Sequence, residues 1–144
     1  MKKRSLAFFL CITLLCMLWA PLIPAASAAD IINSGTCGED LTWTLDVDGV
    51  LTISGTGAMQ DYYWDFGDVA TPWKEYCQDI QTVIIESGVT SIGSFAFYDC
   101  KSLTSVSLPD SLEQIGTYAF RDCSSLPNFT VTSGVSKIGT AVFE

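Results

Sequence analysis

The chain of 144 residues has 7 Lys and Arg against 16 Asp and Glu, a formal net charge of −9, and contains no histidine. Such an acidic chain repels nucleic-acid phosphates, so we expect no nucleic acid among its partners. Without histidine it lacks the commonest general base and the commonest metal ligand of proteins, and no pair of cysteines has C-x-x-C spacing. We therefore expect no metal and no cofactor.

Residues 1–28 have the layout of a secretory signal peptide. Three basic residues precede an apolar run from Leu6 to Leu18, and Ala26-Ser27-Ala28 offers a small-residue cleavage site. An uncleaved membrane anchor is the alternative, because the apolar run approaches spanning length. Cleavage leaves four Lys and Arg against all 16 acidic residues, a net charge of −12. We predict a secreted, extracellular or cell-surface protein that meets a membrane only through this peptide.

Residues 30–79 predict a β-rich segment that caps the chain that follows. Five apolar residues alternate with polar ones on either side of the turn Val47-Asp48-Gly49: Leu41, Trp43, Leu45, Leu51 and Ile53. A three-residue loop with Gly49 in the left-handed conformation places all five on one face of a β-hairpin. We expect this hairpin to pack against the first coil of the repeats described below.

Asp46 and Asp48 lie in this turn and permit a second interpretation. The string Leu45-Asp46-Val47-Asp48-Gly49-Val50-Leu51 resembles the nucleophile motif of haloacid-dehalogenase-type phosphatases. That resemblance implies attack on phosphorus by Asp46 and acid–base chemistry by Asp48. Such chemistry also requires a lysine, an acidic magnesium site and a large parallel sheet. After the signal peptide, Lys74 is the only lysine before the repeats, and the sequence after Leu51 predicts no helix of useful length, so the hairpin is preferred.

The stretch Tyr62-Tyr63-Trp64 is a candidate aromatic patch for binding sugars, since carboxylates flank it at Asp61 and Asp65. The alternative, which we prefer, is that these rings pack the N-terminal segment onto the first coil, or form a loop with one exposed ring.

From Ile80 onward the chain repeats with a period of 23 residues. One unit runs from Leu103 through Ile115-Gly116 and Ala119-Phe120 to Cys123, and equivalent residues stand 23 positions before and after. The alternation near Leu103 predicts a strand, and Gly116 predicts a sharp turn. Residues 117–120 predict a short helical turn that buries Ala119 and Phe120.

A single unit of this kind cannot close a core, so successive coils are expected to stack their apolar faces. The phenylalanines at one repeat position, Phe97, Phe120 and Phe143, then form a ladder of rings. The chain stops at Glu144 without a polar closing coil. We expect either that the reading frame continues or that this end pairs with another molecule.

Three strings carry a family resemblance: Gly88-Val89-Thr90-Ser91-Ile92-Gly93, Ala96-Phe97-Tyr98-Asp99-Cys100 and Leu108-Pro109-Asp110-Ser111-Leu112. They resemble the BspA-type leucine-rich repeat, found mostly on bacterial surfaces. The segment from Ser34 to Trp73 is similar to the one that precedes these repeats in surface proteins of Firmicutes. The resemblance implies a leucine-rich-repeat solenoid of short strands and short helical turns over residues 80–144, about three coils with the last incomplete, behind an N-terminal β-hairpin cap.

Four cysteines remain after cleavage: Cys37, Cys77, Cys100 and Cys123. Four cysteines permit three pairings, and the sequence does not select one. Cys100 and Cys123 occupy the same repeat position and lie on neighbouring coils about 4.8 Å apart. Because equivalent side chains point in parallel, which disfavours a disulfide, we predict buried free thiols there.

The open strand face of the repeats is the candidate binding surface. Its outward positions are Thr82, Ile84, Ser105, Ser107, Asn128 and Thr130. We expect a protein without catalytic activity that binds a host or bacterial surface protein or a matrix component, as an adhesin does. The alternative is the N-terminal targeting or spacer region of a larger cell-wall or glycan-active protein.

Overall fold

The structure is a computed structural model that describes residues 30–127 and 130–144. The predicted signal peptide, the candidate Asn128 and the predicted core residue Phe129 lie outside the described residues. Within them, no helix is long and apolar enough to cross a membrane.

The described fold consists almost entirely of short strands and turns. In chain order the strands are β1 (Ile31–Thr36), β2 (Leu41–Asp46), β3 (Val50–Gly55), β4 (Gly57–Ala58), β5 (Trp64–Asp65), β6 (Asp68–Val69), β7 (Thr82–Ile85), β8 (Val89–Ile92), β9 (Ser105–Ser107), β10 (Gln114–Ile115) and β11 (Lys137–Ile138). A 3₁₀ helix, Lys74–Tyr76, precedes β7.

The strands form two main sheets and one small hairpin. The first sheet has the order β1-β2-β3-β7-β9, so the N-terminal strands and the repeat strands belong to one sheet. The second has the order β11-β10-β8-β4, and β5 and β6 pair only with each other. Inward side chains of β2, β3, β7, β8 and β10, from both main sheets, are buried in a single hydrophobic core.

The predicted hairpin between β2 and β3 is confirmed. Leu45 stands opposite Leu51 and Trp43 opposite Ile53, and all four side chains are buried on the same face. Gly49 has a φ of 75°, the left-handed conformation that the three-residue turn requires.

Pairing between the repeat strands joins residues one 23-residue period apart. In the first sheet Val83 pairs in parallel with Val106, and in the second Ile92 pairs with Ile115 and Ile115 with Ile138. Parallel strands need a long return connection, and here the rest of each repeat provides it.

A ladder of stacked rings fills the core beside the turns. Phe97 stacks on Phe120 at 5.1 Å between ring centroids, and Phe120 stacks on Phe143 at 6.0 Å, as the repeat predicts. The ladder extends one ring further than predicted, because Trp73 stacks on Phe97 at 5.5 Å and donates a hydrogen bond from Nε1 to the carbonyl of Ala96.

Two predictions about the repeat were wrong: the conformation of residues 117–120 and the structural role of Gly116. Residues 117–120 make a hydrogen-bonded turn rather than a helical one, because Tyr118 has a φ of 57°. That turn still buries Ala119 and Phe120, as expected. Gly116 is needed for close packing between coils rather than for a left-handed turn, since a Cβ there would stand 2.3 Å from the backbone nitrogen of Ser94.

The prediction of a free thiol at Cys100 was wrong. A disulfide joins Cys77 to Cys100, which lie one period apart with 4.7 Å between their Cα atoms, within the usual range. Cys77 ends the 3₁₀ helix, whereas Cys100 follows Asp99 in the left-handed conformation, so the two side chains do not leave equivalent backbones. Cys123 is a buried free thiol, as predicted, and so is Cys37.

Candidate functional site

The predicted strand-face residues lie on β7 and β9, with one exception among those described. Thr82 and Ile84 on β7 are half-buried, and Ser105 and Ser107 on β9 are exposed. Thr130 is exposed but lies in none of the described strands.

The same face continues across the three N-terminal strands, which sequence reasoning did not include. Apart from Val50, which pairs with Thr82, their outward residues in these strands are mostly small and hydroxyl-bearing. The hydroxyl-bearing ones are Ser34, Thr36, Thr42, Thr44, Thr52 and Ser54. Together with Thr82, Ser105 and Ser107, these residues are called here the hydroxyl face.

Strand register aligns this face in rows. One row crosses all five strands of the sheet, through Ser34, Thr44, Thr52, Ile84 and Ser107. Neighbouring strands lie about 4.8 Å apart, so the row spans about 19 Å. The result is a low, uncharged surface of hydroxyl and methyl groups with one aliphatic residue, Ile84, in the row.

Local sequence explains why the hydroxyls face outward. Thr42 and Thr44 alternate with the buried Leu41, Trp43 and Leu45, and a strand turns successive side chains to opposite sides. Threonine also suits strands because its β-branched side chain packs well on a pleated surface. The same alternation that places Leu41, Trp43 and Leu45 inward therefore also places these hydroxyls outward.

The candidate aromatic patch is divided by the structure. Tyr62 is a core residue with 3% of its surface exposed, its ring 5.8 Å from that of Trp73, and burial raises the pKa of its hydroxyl. Tyr63 and Trp64 are exposed at 71% and 51%. Trp64 packs edge-on against Tyr98 at 5.3 Å. Tyr62 therefore packs in the core as preferred, whereas two rings rather than one, those of Tyr63 and Trp64, are exposed.

The side chain of Asp46 stabilises the turn between β2 and β3. Its Oδ1 accepts hydrogen bonds from the backbone N–H groups of Asp48 at 3.0 Å and Val50 at 2.9 Å. These bonds fix the turn, and Asp46 is nearly buried. Within the described ranges no cluster of three or more metal-ligand side chains occurs.

The two free cysteines lack the surroundings of a nucleophile. Burial raises the pKa of the Cys37 thiol to about 11 and that of Cys123 to about 12. Reactive thiols require a lowered pKa and access to solvent. The Cys123 Sγ instead donates a hydrogen bond to the carbonyl of Phe97 at 3.1 Å, inside the core.

A comparison of the sequence with models of known protein families also identifies repeats in this chain. Residues 75–144 match the family model described as "BspA type Leucine rich repeat region (6 copies)". The repeat region belongs to the BspA-type leucine-rich repeat family. This match is to a repeat region and not to a catalytic domain, and leucine-rich repeat proteins are in general binding proteins. No curated protein matches the chain.

Two solved structures similar to this chain come from bacteria. A leucine-rich repeat protein from Eubacterium ventriosum is 38% identical with a TM-score of 0.64, over 74% of this chain and 28% of that one. A leucine rich cell surface protein from Faecalibacterium prausnitzii is 25% identical with a TM-score of 0.41, over 75% of this chain and 33% of the other. The present chain thus spans about a third or less of the length of these two structures.

Proposed function

We propose that this BspA-type chain is a secreted or cell-surface protein that binds another protein or a matrix component and has no catalytic activity. The observation that carries the proposal is the hydroxyl face, which extends within one sheet from the N-terminal strands onto the repeat strands, with aliphatic Val50 and Ile84 at the junction. In the same proposal, residues 1–28 are the signal peptide and residues 30–79 cap a solenoid formed by residues 80–144.

The cap assignment is supported by contacts at the start of the repeats. Parallel pairing of β3 with β7 satisfies backbone groups that a first repeat strand would otherwise leave open. Trp73 covers the ring of Phe97 in the same way that Phe97 covers Phe120. Both kinds of contact reproduce what a preceding coil would provide.

The size of the face predicts weak binding by one chain. A surface about 19 Å wide, with two or three outward residues per strand, covers a few hundred Å², whereas a stable interface buries about 800 Å² on each partner. Small hydroxyls also supply none of the large Trp, Tyr or Arg anchors that dominate binding energy. We therefore expect useful affinity only from several copies or coils acting together.

The test replaces a hydroxyl in the middle of the face with a large charged group. Thr52→Arg is compared with Thr140→Arg, which adds the same charge at an exposed site beside the second sheet. Both proteins are displayed at high density and tested by surface plasmon resonance against purified matrix and bacterial surface proteins. We expect Thr52→Arg to weaken binding at least tenfold and Thr140→Arg to leave it unchanged. Equal binding by the two variants, or no binding by the parent, contradicts the proposal.

The second candidate is a targeting or spacer region of a larger cell-wall or glycan-active protein. One observation favours it: the chain spans only 28% of the similar Eubacterium ventriosum protein. In that case binding to cell-wall material requires sequence other than this chain, and the dense display described above binds nothing.

A further inference from the structure

A continuous strip of aromatic rings borders the core and lies outside the sheet that carries the hydroxyl face. Trp64 packs edge-on against Tyr98 at 5.3 Å, and Tyr98 contacts Phe95 at 5.8 Å. Phe95 contacts Tyr118 of the next coil at 4.9 Å. These four residues are called here the aromatic strip, and none of them is fully buried.

Two residues of the strip and one of the neighbouring hairpin have the left-handed backbone conformation, which bulky residues rarely adopt. Phe95 and Tyr118, one period apart, have φ values of 56° and 57°. Phe66, at the tip of the β5–β6 hairpin, has a φ of 46° and is fully exposed. A left-handed bulky residue is costly, and an exposed ring adds nothing to the core. Phe66 therefore has no role in folding that its surroundings explain.

A cationic side chain of the same chain, that of Arg121, already contacts the strip. The guanidinium of Arg121 stands 4.9 Å from the ring centroid of Tyr118, and it lies 3.6 Å from a carboxylate oxygen of Glu144. A planar cation between an aromatic ring and a carboxylate is a favourable arrangement. The contact between Arg121 and Tyr118 is thus an example, within this chain, of the cation–ring contact that the strip offers to a partner.

At its other end the strip offers a ring and a carboxylate without a cation. Trp64 is half-exposed, and its neighbour Asp65 makes no ion pair within the described part of the chain. Asp68, across the hairpin, is bound by Lys74. With a net charge of −12 after residue 28, the whole surface attracts basic partners.

We propose that the aromatic strip is a docking surface for an arginine-bearing, basic segment of another protein. Arginine fits better than lysine because its planar guanidinium stacks on rings and bonds carboxylates in a fixed geometry. A glycan fits less well, because successive rings in the strip are inclined to one another by 53–82° and form no flat platform for sugars. This surface is separate from the hydroxyl face, so either proposal stands without the other.

The experiment measures fluorescence anisotropy of labelled peptides with the full protein. The probes are a twelve-residue Arg-Gly repeat, a Lys-Gly repeat of equal length and charge, and a chitooligosaccharide. The variants are Trp64→Ala and Tyr98→Ala, with Val47→Ala as control, because Val47 is an exposed apolar residue in a different turn. Circular dichroism verifies that each variant is folded, and Tyr98→Ala keeps the test valid if Trp64→Ala is not folded.

We expect the arginine peptide to bind more tightly than the lysine peptide. Each ring removed is expected to weaken arginine binding by about two- to fivefold, the effect of one exposed cation–π contact, and Val47→Ala to leave it unchanged. Equal binding of the two peptides, unaffected by either aromatic substitution, overturns the proposal in favour of unspecific charge attraction. Binding of the oligosaccharide that is lost with Trp64 overturns it in favour of a glycan surface.

Discussion

Phe120 is the residue on which the stacking of the repeats depends most. Its ring lies between those of Phe97 and Phe143 and is almost fully buried. The same position in the sequence repeat holds a phenylalanine in all three units, so ring size is matched from coil to coil. Removing one ring leaves a cavity that the rigid neighbours cannot fill.

We therefore predict that Phe120→Ala lowers the free energy of unfolding by about 3–5 kcal/mol. Urea titration followed by circular dichroism measures the change. Phe66→Ala is the matched control and is expected to alter the same quantity by less than about 0.5 kcal/mol, because that ring is fully exposed. A loss of similar size in both variants would show that ring removal acts through the unfolded state and not through the ladder.

Cys123 makes stability depend on pH in the alkaline range. Burial raises the pKa of its thiol from 9.0 to about 12 in the folded protein, whereas the unfolded thiol ionises near its ordinary value. The unfolded state therefore loses the proton first, so stability is unaffected below pH 9 and falls between pH 9 and about 12. The expected loss from this thiol at pH 10 is about 1.4 kcal/mol.

Urea unfolding at pH 7 and pH 10 tests this expectation by comparing the parent with Cys123→Ala. The variant should be less stable at pH 7, because a buried side chain is shortened, but it should lose less stability on going to pH 10. An identical loss in both proteins would mean that Cys123 ionises in the folded state as readily as in the unfolded one.

Among the strands and turns, those that follow from alternating apolar residues or from the 23-residue repeat were predicted from the sequence. The β2–β3 hairpin follows from five alternating apolar residues and one glycine, and the parallel pairing of Val83 with Val106 agrees with the 23-residue period. The turn at 117–120 was misjudged because, besides the local bond from the Ala119 nitrogen to the Gly116 carbonyl, it is held by hydrogen bonds between coils. The nitrogens of Tyr118 and Phe120 donate to the carbonyls of Thr140 and Val142, and no local pattern reveals these bonds.

The candidate site was predicted only in part, for a related reason. The outward residues of β7 and β9 follow from the repeat, but their continuation onto β3 depends on which N-terminal strand pairs with β7. A composition rich in threonine does not specify that pairing. The split of the aromatic patch, with Tyr62 buried and Tyr63 exposed, likewise depends on where Trp73 lies in the fold.

The Cys77–Cys100 disulfide links the 3₁₀ helix to the first repeat turn. It closes a loop of 23 residues, which restricts the unfolded chain and stabilises the fold by about 3 kcal/mol in the loop-entropy description. We predict that Cys77→Ser lowers the free energy of unfolding by that amount and that a reducing agent then has no further effect. Peptide mapping by mass spectrometry identifies the bond, and a parent protein with four alkylatable thiols after residue 28 would contradict it.

At the scale of the whole molecule, two main sheets and a ring ladder enclose one core, and the sheets present different surfaces. The first carries the hydroxyl face, and the second carries exposed residues such as Gln114 and Lys137. Because N-terminal and repeat strands share the first sheet, the surface proposed for binding does not stop where the repeats begin. A partner bound there is expected to contact β2 and β3 as well as β7 and β9.

The most direct measurement is methyl NMR of the threonine-labelled protein during titration with a partner found in the surface plasmon resonance experiment. We predict that the methyl signals of Thr42, Thr44, Thr52 and Thr82 shift together. The signals of Thr90, Thr117 and Thr140, on or beside the second sheet, serve as internal controls and should stay in place. Shifts confined to the control threonines, with the hydroxyl face unchanged, would contradict the central claim that this protein binds through that face.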